Sequence, residues 1–210
     1  MFIRDMGYTT HEAILEGRDF GSLENRVRWC LVATTQGVDF SFDRLQPTVR
    51  VVRELGSMLD SEIGPEDPRW GEYAYLKVKA ARDLADGKGF KNQTVTTDST
   101  SVPTLRKGYH KVGTTDPMLK HPTDPTLLRK LTAAEHSRVK GVPERLITGL
   151  SETIAHELLG QGIVYEPFRA VGERIGDAVR AAVARGREVL AEADEVMPSA
   201  MASRRQRMTG

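Results

Sequence analysis

Residues 129–162 read RKLTAAEHSRVKGVPERLITGLSETIAHELLGQG. Thr132 stands where a helix cap is wanted. Glu135, three residues on, can reach back to the cap's own amide, the reciprocal arrangement of a capping box. The spacing predicts a helix over 133–140, stopped by Gly141, with Pro143 beyond to prevent its continuing. A second helix fits 151–159 and ends in Gly160-Gln161-Gly162. On capping alone, two helices of an all-purpose domain account for the stretch.

The residues between the caps are more particular. Arg129-Lys-Leu131-Thr132-x-x-Glu135-x-x-Arg138-x-x-Gly141-x-Pro143 resembles the ninth conserved motif of DNA cytosine-5 methyltransferases. Gly160-Gln161-Gly162 and the helix expected after it resemble that family's tenth motif, with Gln161 where the family usually has Asn. Upstream, Gly21-x-x-Glu24-x-Arg26-x-Arg28 is similar to the eighth motif. The usual Pro-Gln is replaced there by Leu23-Glu24, and both arginines keep their spacing. Three motifs in the family's order form a specific pattern, where any one alone is weak.

Several features of such an enzyme are missing from the sequence. Cytosine-5 methylation needs a cysteine thiolate that adds to carbon 6 of the ring, and in the family it lies in a Pro-Cys-Gln loop. The single cysteine here, Cys30, sits between Trp29 and Leu31 in a strand-like run, where a buried, inert thiol is expected. There is no Phe-x-Gly-x-Gly cofactor motif and no Glu-Asn-Val. Gly87-Lys88-Gly89 reads as a helix cap and turn. The resemblance therefore implies the carboxy-terminal half of a methyltransferase. The S-adenosylmethionine pocket would lie mostly on a partner chain carrying motifs one to six, and no metal is implied.

The implied fold is α/β: a partial class I methyltransferase sheet, made of an edge hairpin and a carboxy-terminal helix, with an inserted small α+β target-recognition domain. The expected division is terminal strands over 1–45, target recognition over 46–128, motif helices over 129–196 and a disordered basic tail over 197–210. In the run RVRWCLVAT, Val27, Trp29, Leu31 and Ala33 alternate with Arg26, Arg28 and Cys30. Gln36-Gly37 is a turn signal, and Val38, Phe40 and Phe42 alternate again, which predicts a hairpin. Helices are expected over 47–59, with Val51, Val52, Leu55 and Leu59 on one side, and over 70–86, with Tyr73, Leu76, Ala80 and Leu84 inward. A long helix is expected over 167–196, its buried stripe formed by Phe168, Val171, Ile175, Val179, Ala182 and Val183.

The distribution of charge suits a segment that meets phosphate. The net charge is +1, yet residues 77–140 hold 13 Lys and Arg against 6 Asp and Glu. Residues 92–121 are rich in Thr, Ser, Asn and Gln, and Pro103-Thr104-Leu105-Arg106 with Tyr109-x-Lys111 is similar to a stretch many family members carry before the ninth motif. The expected DNA-contacting residues are Lys91, Asn92, Gln93, Thr104, Arg106, Lys107, Tyr109 and Lys111. A purely polar loop region remains the alternative. The resemblance puts Arg26 or Arg28 at the target cytosine, although strand arginines paired with carboxylates are the plainer reading of the residues. It also puts Gly160 and Gln161 at the cofactor. His110, His121, His136 and His156 do not match a compact zinc spacing.

With 210 residues, the chain can bury a substantial core as one large or two small domains. No run approaches the length of a membrane span, and one cysteine cannot form an internal disulfide, so a cytoplasmic setting is expected. The reading favoured is a split or truncated cytosine-5 methyltransferase that binds DNA. The alternatives are a DNA-binding or regulatory module without methylation, and a remnant that folds poorly.

Overall fold

The structure, a computed structural model, describes residues 2–45, 53–88 and 93–207, excepting the side chains of residues 44 and 191–207. The chain forms two compact units, one made of residues 1–13, 31–45 and 171–210, the other of 14–30 and 46–170.

The second unit carries all three motif regions. Strands β2 (Glu24–Asn25) and β5 (Val102–Pro103) pair in parallel, with Glu24 opposite Val102. In a separate three-stranded sheet, β4 (Thr94–Val95) runs parallel to β6 (Met118–Lys120), and β6 pairs antiparallel with β7 (Leu128–Arg129). Helices α2 (Ala74–Ala85), α3 (Ala133–Lys140) and α4 (Glu152–Gln161) complete the unit. Its core gathers Leu23, Leu55, Val95, Val102, Leu105, Tyr109, Leu119, Leu131 and Val139, all buried. They come from segments far apart in the chain, so the short strands are held by this shared apolar burial rather than by their few ladder bonds.

Local chemistry explains α3. Thr132 Oγ1 accepts from the Glu135 amide at 3.2 Å, and Glu135 Oε2 accepts from the Thr132 amide at 2.8 Å. Gly141 closes the helix with φ at 69°, while Gly141 N donates to Arg138 O and Val142 N donates to Ser137 O. Those two bonds form a Schellman motif, and the left-handed residue between them favours glycine. Ser151 caps α4 through the Ile154 amide.

In the first unit, Phe40 is buried and packs edge-on against His11 and Phe42, with ring centroids 5.3 and 5.0 Å away. The Arg174 guanidinium lies 5.9 Å from the Phe40 ring and donates to Asp39 O. Arg185 donates to Gly37 O at 2.8 Å.

Several expectations are corrected. Gly37 does make a turn, with φ at 84°, but residues 38–41 form no strand. β3 (Val27–Thr34) pairs instead with the upstream β1 (Thr9–Glu16). The alternation in β3 is real, and Cys30 lies on its buried face as expected. Cys30, Val32 and Thr34 are buried, whereas Trp29 is 61% exposed and Ala33 also faces solvent. In α2, Leu76 is buried but Leu84 is exposed, and Asp83 takes the inward position. The expected helix over 47–59 falls partly outside the described residues, including Val51 and Val52. Its remainder is a single 3-10 turn, Leu55–Met58. Helix α5 spans Tyr165–Arg207, past the expected end at 196 and through most of the stretch expected to be disordered. Its stripe is buried at Val171 and Ala178, while Val179 and Val183 are exposed.

Candidate functional site

Strand β2 opens with a carboxylate, Glu24, at a position where the resembling motif has a neutral amide. The folded chain surrounds that charge completely. Glu24 Oε2 accepts from Lys140 Nζ at 2.7 Å, and neither side chain has any solvent exposure. Glu24 Oε1 accepts from the Leu105 amide at 2.9 Å and lies 3.7 Å from Arg26 Nη1. Arg26 Nη1 in turn donates to Gly160 O at 3.4 Å. Burial pulls both the Lys140 ammonium and the Arg26 guanidinium below their ordinary values, against the attraction of Glu24. One buried cluster thus joins the eighth-motif segment, the Leu105 loop, the last turn of α3 and the last turn of α4.

Two further joints hold the same region. The Arg129 guanidinium forks onto Glu135, Nη1 to Oε2 at 2.6 Å and Nη2 to Oε1 at 2.8 Å, both side chains being buried. With the Thr132 and Asp60 amides also donating to it, the Glu135 carboxylate has four donors, which compensates its burial. Trp70 lies under Arg129 with its ring centroid 5.1 Å from the guanidinium carbon. Arg138 Nε donates to Glu144 and its Nη1 to Met58 O, and Asp60 accepts from both Arg138 Nη2 and Thr132. Arg129, Thr132, Glu135 and Arg138 therefore build the scaffold of this region.

Below them, His136 of α3 and His156 of α4 stack with Nδ1 atoms 2.9 Å apart. Both rings are fully buried, and the edge of Tyr109 meets both. Burial drives His136 down to about 2 and His156 down to about 4, so both rings are neutral near pH 7. One Nδ1 must carry a proton and the other accept it, which fixes the tautomers as a pair.

The structure sorts the expected contact residues. Tyr109 is corrected: it is fully buried, its hydroxyl donating to Pro117 O and accepting from the Leu131 amide. The polar sequence around it points to the surface, but the ring belongs to the apolar core. Arg106 reaches Asp116 with Nη2 at 2.8 Å, Thr104 Oγ1 donates to Asn25 O, and Gln93 is half-buried. Lys107 and Lys111 are exposed. Lys91 and Asn92 lie outside the described residues. Arg28 is half-buried and donates to Val27 O at 2.7 Å. Cys30 is buried, and burial raises its thiol, which disfavours the thiolate.

Gly160 and Gln161 do not by themselves form a cofactor pocket. A Cβ on Gly160 would overlap the Arg106–Lys107 peptide, so that side of α4 is already filled by backbone. The Gln161 amide turns back to Glu157 O at 3.3 Å. Gly160→Ala should accordingly destabilise the protein by about 3 kcal/mol, since the clash is with main chain rather than a flexible side chain. Urea denaturation of the two proteins measures this; equal midpoints would show that the contact is not tight.

Lys140 and the histidine pair were not assigned these roles from sequence, and one signal was available. A carboxylate in place of an amide at position 24 requires a counter-charge if it is buried. Lys140 falls on a position the ninth motif leaves open.

A buried cluster joining three ordered motifs defines the carboxy-terminal scaffold of a methyltransferase of the kind the sequence resembles. The chain belongs to the C-5 cytosine-specific DNA methylase family, matched over residues 2–177. It is 28% identical over 179 residues to the Type II methyltransferase M1.ScrFI of Lactococcus lactis subsp. cremoris, covering 82% of this chain and 44% of that protein. With the Type II methyltransferase M.NlaX of Neisseria lactamica it shares 28% identity over 181 residues, 85% of this chain and 56% of the relative. The chain spans about half the length of these curated relatives. The crystal structure of S. pombe Dnmt2 methyltransferase matches with a TM-score of 0.67 at 20% identity, over 84% of this chain and 60% of that one. At that identity the likeness establishes the fold. Among the described residues no helix is long and apolar enough to cross a membrane.

Proposed function

We propose that this chain is the target-recognition half of a cytosine-5 DNA methyltransferase, gripping DNA and completing an active site in trans. Methyl transfer from S-adenosylmethionine to cytosine then requires a partner chain with the cofactor motif, the cysteine loop and the Glu-Asn-Val motif. The observation that carries this reading is the buried Glu24–Lys140 pair, with Leu105, Arg26 and Gly160 around it. It makes the three motif regions and the recognition segment one rigid frame, as holding an extruded base would demand.

Within that frame the two arginines divide the work. Arg26 is buried and acts on position, tying the start of β3 to α4. Arg28 keeps a partly exposed guanidinium and is the residue proposed to meet the flipped cytosine or its phosphate. Arg28→Ala should lower methyl transfer by the reconstituted pair about a hundredfold, the loss typical of one donor aimed at developing charge. Co-purification of the two chains should be unaffected. Undiminished turnover would remove Arg28 from the mechanism.

A further inference from the structure

Helix α5 is apolar on two sides, and among the described residues only one of them is covered. Val171 and Ala178 are buried, and Arg174 and Arg185 on that side donate to the carbonyls of Asp39 and Gly37. Val179, Val183 and Leu190 lie on the other side, exposed by 43, 49 and 68%. Gly172, Gly176, Val179, Val183, Gly186 and Leu190 follow one another at alternating steps of four and three residues. That spacing keeps all six on one line of an α-helix, the seam along which two helices pack.

The packing of the chain itself does not call for these glycines. Inside a helix glycine is the poorest residue short of proline, and alanine the best. A Cβ on Gly172 or Gly186 would meet nothing within 4 Å. One on Gly176 would first meet the Arg180 guanidinium, a flexible group of the same helix, 3.4 Å away. Alanine would therefore fit all three positions and favour the helix. What glycine supplies there is room for another backbone to lie close.

We propose that residues 172–190 of α5 form a self-association face, an antiparallel two-fold contact between two copies of this chain. The seam runs about 27 Å and is complementary to itself. Turned about an axis between Val179 and Val183, it sets Leu190 against Gly172, Gly176 against Gly186, and Val179 against Val183. Along its polar flank the same turn brings Glu173 to Arg187 of the other copy, once at each end. The two Arg180 side chains meet at the middle, each already paired with Asp177 at 2.6 Å. In a parallel pair every seam residue would meet its own kind, leaving the glycine layers hollow. The proposal is independent of the reading of the chain as half of a methyltransferase.

The test is sedimentation equilibrium of the full chain over a range of concentrations. The parent should show a mass that rises with concentration toward twice that of one chain. Gly176→Ala/Gly186→Ala should weaken dimerisation about tenfold, because each added methyl meets the facing backbone. Alanine favours the isolated helix, so the melting temperature of the dilute variant should not fall, which separates lost contact from lost folding. Arg187→Glu should also weaken the dimer about tenfold, and Glu173→Arg/Arg187→Glu should bring it back to within about twofold of the parent. A parent that is monomeric at every concentration would overturn the proposal, as would a dimer indifferent to both the glycine and the charge variants. A monomer whose capture by a chain carrying the amino-terminal methyltransferase motifs is weakened by the glycine variant would overturn it too, and would give the seam to that chain.

Discussion

Lys140→Ala is expected to destabilise the protein by about 3–5 kcal/mol, because it leaves the Glu24 carboxylate buried without its counter-charge. The pair is 2.7 Å apart, both side chains have no exposure, and Glu24 keeps only the Leu105 amide and the more distant Arg26. That is a large fraction of the stability of an ordinary domain. Glu24→Gln alone should also be costly, since it strands the Lys140 ammonium. Glu24→Gln combined with Lys140→Gln removes both charges and keeps groups able to hydrogen-bond across the gap. It should recover all but about 1–2 kcal/mol. A double-mutant cycle by urea unfolding reads the coupling. Additive losses would mean that the two charges do not sense each other.

The second large effect is acid lability. The folded values of His136 and His156, about 2 and about 4, lie below the ordinary 6.5. For groups whose folded values are depressed, the unfolded chain binds more protons as pH falls. Stability is therefore fully present above pH 6.5 and is lost below it. Each histidine contributes about 1.4 kcal/mol per pH unit in that range. The pair together should remove about 4 kcal/mol between pH 6.5 and 4.5. His156→Gln should roughly halve the slope of stability against pH near 5, measured by urea unfolding at a series of pH values. A slope equal to the parent's would show that protonation at this stack does not govern acid unfolding.

How much of this was legible depended on the range of the interactions. The Thr132–Glu135 box and the Gly141 stop are formed by residues within one or two turns of each other, and α3 begins and ends where its sequence says. Helix α4 departs from its expected bounds, with Ser151 as its cap rather than its first residue and its end at Gln161 rather than 159. The run of β3 mixes apolar residues on both sides of the strand. Alternation gives the period of a strand, but only its neighbours decide which face is buried. The partner of β3 was likewise a question of tertiary pairing, which the alternation over residues 38–42 does not decide. In the site, Arg129, Glu135 and Arg138 could be chosen from the motif, whereas Lys140 stands 116 residues from its partner, Glu24. A fully buried ammonium is rare enough that exposure would be assumed for it from sequence. Tyr109 was misplaced for a related reason: its hydroxyl suggests a surface, and here that hydroxyl serves two buried backbone groups.

The central claim is that this chain completes a methyltransferase site in trans. Its most direct test is transfer of labelled methyl groups from S-adenosylmethionine to mixed-sequence DNA, assayed with this chain alone, with a chain carrying the amino-terminal methyltransferase motifs alone, and with both. The account predicts incorporation only in the mixture, and its loss when Lys140→Ala unlocks the frame. Incorporation by this chain alone, or no incorporation by a mixture whose two chains co-purify, would contradict it.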